Sequence, residues 1–196
     1  MEHRNNELMI GYWSSLRRGR TVPAQSDIKP RAIGRVLSNV FILDASNPSD
    51  PLYRLAGTAL CSRFGSELRG KHFLAPWDTP SSETLCWLLR RALKVHRPIC
   101  LHSGECGLNA DTVAMETVLA PITISDSRPT RFIGLAQILR KHADQVGLPG
   151  TYQSLTGSHL VYDVEVARAS NNSLSQLSFA TYPMSVRTDA VRWMRA

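Results

Sequence analysis

The sequence predicts an α+β domain built on one antiparallel sheet, and three observations predict it. Two short runs rich in β-branched and aromatic residues flank the turn-forming NPSDP (47–51); a single long helical pattern follows; then come three more strand-like runs. Strands interrupted by one helical block favour a sheet with segregated helices over an alternating parallel arrangement. At 196 residues, 43% hydrophobic and 20% charged, the chain has the length for one domain with extensions and the apolar content for a real core.

The first element is a helix over 4–18. Leu8, Tyr12 and Leu16 recur every four residues with Met9 and Trp13 beside them, and Gly19 suits its end. A helix this short is marginal alone, so its stripe is expected to dock on the next domain or on a second copy of the chain. Leu8, Tyr12, Trp13 and Leu16 are therefore the expected interaction residues. Pro23 and Pro30 then hold a connector extended, with a brief helical turn opened by Ser26 or Asp27 around 31–37.

VFILDAS (40–46) and YRLAGT (53–58) read as a β-hairpin, and ALCSRF (59–64) has helical spacing. In SSETLCWLLRRALKVHRP, Leu85, Leu88, Leu89, Ala92 and Leu93 recur at three and four while Arg90, Arg91 and Lys94 face away. Ser81 or Ser82 is the expected N-cap and Pro98 the stop. ICLHSGEC (99–106), TVAMETVLAPIT (112–123) and RFIGLAQIL (131–139) complete a five-stranded sheet whose helices cover one face. Val113, Met115, Thr117 and Leu119 share one side of the second; Phe132, Gly134, Ala136 and Ile138 oppose Ile133, Leu135, Gln137 and Leu139 in the third. Beyond 143 the chain reads as a partly flexible extension: LPGTYQSLTGSH as turn, LVYDVEVA as a strand, NNSLSQLS as polar and mobile, TDAVRWMRA as a short terminal helix.

The net charge is +7, with 18 Lys and Arg against 12 Asp and Glu in residues 1–140 and 5 against 4 in 141–196. Arg90, Arg91, Lys94 and Arg97 make a stripe that could face phosphates, yet no helix-turn-helix, zinc finger or RNA-binding aromatic signature accompanies it, so a solvated surface is the favoured reading. No apolar run has membrane-spanning length and the first residues lack a secretory pattern, which makes a cytoplasmic protein the expectation. Cys61, Cys86, Cys100 and Cys106 without CxxC spacing read as reduced thiols.

The junction YRLAGTALCSRFGSELRGKHF, with Gly65 and Gly70 at helix C-terminal positions, resembles the PAS domain, whose chain runs from a hairpin through short helices to a longer helix and three antiparallel strands. More narrowly, GYWSSLRRGRTVPAQSDIKP followed by VFILD and YRLAGT is similar to a bacterial PAS subfamily that opens with "yW..lr.g..P.rsdidP". The likeness joins Trp13, Arg17, Pro23, Ser26, Asp27 and Pro30 and covers about residues 8–140. Where the subfamily has PARSD this chain has PAQSD, so an ion pair made by that arginine does not carry over to Gln25. The organisation implied is an N-terminal helix and connector (1–37), a PAS domain (38–142) and an extension (143–196).

Chemistry is sparse. No Gly-x-Ser-x-Gly, HExxH, P-loop or dinucleotide fingerprint occurs. Cys100-x-His102 with Cys106, and His96 just before, is the one metal-like constellation; Cys100 and His102 would share a strand face, but a buried thiol beside a partly exposed histidine is the simpler reading, and no metal is expected. The flavin-binding N-C-R-F pattern of light-sensing PAS domains is missing from GKHFLAPW, and His72 and His96 are the only candidates for a heme ligand, so no cofactor is expected. The resemblance implies a sensory or regulatory module, not an enzyme, acting by protein–protein contact on a signalling partner, with a homodimer expected. A small apolar ligand could sit in the core against Phe64, Leu88, Leu89, Leu101, Met115 and Leu135. The rival reading is a small-molecule enzyme on a cone-shaped α+β scaffold, for which Asp44, His102 and Glu116 are the available polar groups.

Overall fold

The computed structural model describes residues 1–106, 112–125, 128–140 and 152–161. Six strands form one sheet: β1 (Val40–Asp44), β2 (Leu52–Ala56), β3 (Ile99–Cys106), β4 (Thr112–Ile122), β5 (Arg131–Arg140) and β6 (Tyr152–Leu160). Their order across the sheet is β2-β1-β5-β4-β3-β6, and every neighbouring pair is antiparallel. Among the described residues three α-helices accompany it: α1 (Arg4–Leu16), α2 (Thr58–Arg63) and α3 (Thr79–Val95). Among the described residues no helix is long and apolar enough to cross a membrane.

Strand alternation sorts the apolar side chains into two cores. On one face Leu43, Ile99, Leu101, Met115, Leu119 and Phe132 pack against Leu85, Leu88, Leu89 and Ala92 of α3, with Phe41, Tyr53, Phe73 and Trp77 among them. On the other, Val40, Cys100, Val118, Ala120, Ile122, Ile133 and Leu135 lie under Met9, Ile10 and Trp13 of α1. Helices therefore cover both faces, not one, and the N-terminal helix docks on its own sheet. Met9, Ile10 and Trp13 are 1–3% exposed, and each full burial stabilises the contact by roughly 1.5–3 kcal/mol. A hydrogen bond of 2.7 Å from Trp13 Nε1 to the Pro121 carbonyl fixes the register of helix on sheet. The connector follows as two 3₁₀ segments, Gln25–Asp27 and Pro30–Asn39. It adheres to the sheet end through Gln25 N to Thr123 O and Thr123 N to Pro23 O. Gln25 accepts a bond from Arg131, while Asp27 pairs with Arg20.

The cap of α3 is Asp78, one turn earlier than the serines the sequence suggests. Its carboxylate accepts from Ser81 N at 2.8 Å, and Pro80 sits in the first turn. At the other end His96 adopts a left-handed conformation (φ 57°) before Pro98. Gly65 and Gly70 have φ of 62° and 80°, the left-handed geometry the junction requires; Gly65 follows α2, whereas Gly70 closes a turn, not a second short helix.

The sixth strand corrects the reading of 152–160. YQSLTGSHL is not turn-like: residues 152–160 pair with β3 along its whole length. The polar groups of that segment bind the start of α3, with Leu155 N donating to Ser81 Oγ, Asp78 N to Gln153 O and Gln153 N to Pro76 O, and Ser154 bonded to Asp78. Ser81 thus serves the strand, not the helix cap. The polar run NNSLSQLS, the terminal TDAVRWMRA and all of LVYDVEVA after Val161 lie outside the described residues.

Candidate functional site

The expected core lining is split by the sheet. Leu88, Leu89, Leu101 and Met115 meet on the α3 side and Phe64 packs at their margin, half-buried. Leu135 faces the other way, into the α1 core: in the continuous apolar run RFIGLAQIL, alternation cannot say which set of residues looks toward which helix. On the α3 side, Phe41, Tyr53, Phe73 and Trp77 form a connected aromatic cluster with ring centroids 5.6–6.2 Å apart. Phe41 reaches this position because Gly134, opposite it on β5, has no side chain; a Cβ there would lie 2.3 Å from the ring.

Of the four expected interaction residues, Trp13 is buried against Pro121 and presents no surface. Leu8 is 44% exposed, and Tyr12 and Leu16 are half-buried. Leu8 and Tyr12 line a groove of about 480 Å³ between α1 and the Pro30–Asn39 segment, with Arg4, Arg31, Arg35 and Val36 on its walls. Tyr12 Oη accepts from Lys29 N at 2.8 Å, which ties the two walls together.

A buried polar cluster sits beneath the start of α1. Glu116 on β4 is fully buried, and its carboxylate accepts from the backbone amides of Glu2 and His3, from Asn6 Nδ2 at 2.9 Å, and faces His102 Nε2 at 3.0 Å. Burial alone would push this carboxyl up; the His102, Glu2, Asn6 and His3 contacts outweigh it and hold it down at about 2. The carboxylate therefore stays ionised and gathers the first residues of the chain onto the sheet. Asn6, itself fully buried, also donates to the Glu116 carbonyl.

His102 links this cluster to a second one. Cys100 and His102 share the α1-facing side of β3, and His159 of β6 stands directly across from Cys100 in register. The ligand atoms of Cys100, His102 and His159 all lie within 4.8 Å of one another, and the two imidazoles stack with centroids 6.2 Å apart. Burial and the nearby Glu116 push the Cys100 thiol up. Cys106 lies two turns of the pleat further along β3, its side chain outside the described residues, and His96 belongs to the cap of α3, so neither completes the set read from the sequence. The third member, His159, was hidden in a stretch read as turn; its placement rests on strand pairing that the apolar pattern does not announce. Glu116 carried a signal, since a lone carboxylate interrupts the apolar run TVAMETVLAP.

The remaining polar candidates are dispersed. His72 is exposed and pairs with Asp50 away from either core, which removes it as a heme ligand. Asp44, at the far end of the sheet from Glu116, pairs with Arg54 and faces Arg131 at 3.7 Å. Of the three groups of the enzyme reading, His102 and Glu116 therefore meet, and Asp44 stands apart from them. In the basic stripe Arg91 lies over the exposed Trp87 ring at 5.2 Å, Arg90 bonds Ser49, and Arg97 is half-buried near Pro98 and Trp13.

One antiparallel sheet thus carries α2 and the longer α3 on one face and the N-terminal α1 on the other. The family described as PAS domain (PAS_5) matches residues 1–137, and the chain belongs to that family. No curated protein matches it. Solved structures similar to it include the light-state blue-light photoreceptor Aureochrome1 LOV (14% identity, TM-score 0.42, over 56% of this chain and 88% of that one). A variant of RsLOV matches at 18% identity and TM-score 0.43, over 55% of this chain and 63% of that one. A fungal LOV domain photoreceptor matches at 16% and 0.41, over 59% and 94%.

Proposed function

We propose that the chain is a regulatory PAS module that acts by contact, and that its contact surface is the groove between α1 and the Pro30–Asn39 segment. The observation that carries this is the character of the groove: Leu8 and Tyr12 supply apolar surface, Arg4, Arg31 and Arg35 supply charge, and none of the residues lining it is acidic. An amphipathic, acidic segment of a signalling protein is the complement of such a surface. A second copy of this chain, carrying the same arginines and a net charge of +7, is the poorer fit. Tagged full-length chain, purified from its host beside Leu8→Glu and Arg31→Glu/Arg35→Glu variants of unchanged melting temperature, tests this. One and the same protein should accompany the wild type and be lost from both variants. Equal recovery with all three would overturn the assignment.

A second reading, a small apolar ligand in the α3-side core, is favoured by one atom: Trp77 Nε1 is buried without a hydrogen-bond partner. A ligand with a single acceptor would satisfy it. Native mass measurement of the purified chain should then show retained mass that Trp77→Phe no longer holds; a bare chain mass would remove this reading.

A further inference from the structure

We infer that Cys100, His102 and His159 form a binding site for a thiophilic divalent ion of the zinc class, on the α1-facing side of the sheet. One thiolate and two imidazoles are the donor set such an ion selects, and three protein donors leave a fourth position of a tetrahedron for water or an exogenous ligand. The scaffold is rigid where it matters: Cys100 and His102 are two residues apart on one strand, and His159 is held opposite Cys100 by the β3–β6 ladder. Their donor atoms already lie within 4.8 Å of one another, so closing on an ion requires side-chain rotation and no change of fold.

Two further observations point the same way. His159 Nε2 is buried and has no hydrogen-bond partner, an orphaned imidazole nitrogen beside a cysteine. On the other histidine, Nε2 faces the buried Glu116 carboxylate at 3.0 Å, which orients the ring, fixes its proton on that nitrogen and leaves Nδ1 as the donor. This carboxylate–histidine arrangement is the support metal-bound imidazoles ordinarily receive. Binding replaces the Cys100 thiol proton, which leaves to solvent, with the ion. Because Glu116 also holds Glu2, His3 and Asn6, the ion and α1 would be tied to one carboxylate. This inference does not depend on the contact surface proposed above.

Cobalt(II) is the probe. The full chain, freed of metal by chelation and kept reduced, should take up one equivalent of Co²⁺ with the visible bands of a four-coordinate ion and a thiolate-to-cobalt charge-transfer band. One equivalent of Zn²⁺ should bleach both. Cys100→Ala should abolish the charge-transfer band, and His159→Gln should weaken Co²⁺ binding at least tenfold, while Cys61→Ala, Cys86→Ala and Cys106→Ala leave the spectrum unchanged. His159 is only partly buried, so its variant decides the matter if Cys100→Ala fails to fold. A spectrum without the charge-transfer band in excess Co²⁺, or one indifferent to His159→Gln, would overturn the site.

Discussion

Single side chains set narrow tolerances in this domain. Gly134 is the clearest: its missing Cβ is the space that the Phe41 ring occupies, so Gly134→Ala should destabilise by about 1–3 kcal/mol through overpacking. The urea midpoint measures this, and Phe41→Leu in the same chain should recover part of the loss, because the two residues share one contact. Asp44 sets an acid limit. Burial would raise its carboxyl, but the Ser46 hydroxyl and amide and the Arg54 guanidinium outweigh that and hold it at about 2, against 3.8 ordinarily. A carboxyl depressed in the folded state stabilises above its unfolded value and loses that contribution as pH falls toward the folded one. About 2 kcal/mol should therefore vanish between roughly pH 4 and pH 2. Urea midpoints across that window should fall for the wild type and fall less steeply for Asp44→Asn.

Among the elements, α3 was legible because Leu85, Leu88, Leu89 and Ala92 repeat at helical spacing and all four are buried. The sixth strand was not. YQSLTGSHL has neither a continuous apolar run nor clean alternation, and what holds it is polar: Asp78 and Ser81 at the start of α3 reach across to Ser154 and Leu155. Asp78 caps the helix and bonds the strand at once, so Asp78→Ala should cost about 1–2 kcal/mol for the cap. It should also raise amide exchange in 152–160, a readout that loss of the cap alone would leave unmoved. The same division explains the candidate sites. Cys100 and His102 announce themselves by their spacing on β3, whereas His159 joins them only through the register of an unrecognised strand, and Leu135 was assigned to the wrong side because both faces of β5 are apolar.

At the scale of the whole molecule, the sheet is a partition between two cores, one roofed by α3 and the other by α1. Removing residues 1–20 would uncover Val118, Ala120, Ile122, Ile133 and Leu135 together, an apolar surface of the kind that drives association. The truncated chain should bind a hydrophobic dye and elute as larger species on gel filtration; a well-folded monomer without dye binding would show that α1 is dispensable. The strand order has a further consequence for biosynthesis. Early β1 lies between its hairpin partner β2 and β5, a strand made much later, and β3 is flanked by β4 and β6. During synthesis the β1–β2 and β3–β4 hairpins find their partners locally, whereas β1 must wait for β5 and β3 for β6, and long-range pairing of this kind closes slowly. A chain halted before β6 emerges would leave the β3 edge open, so chaperone demand and degradation of arrested translation products should concentrate on the interval between completion of β5 and of β6.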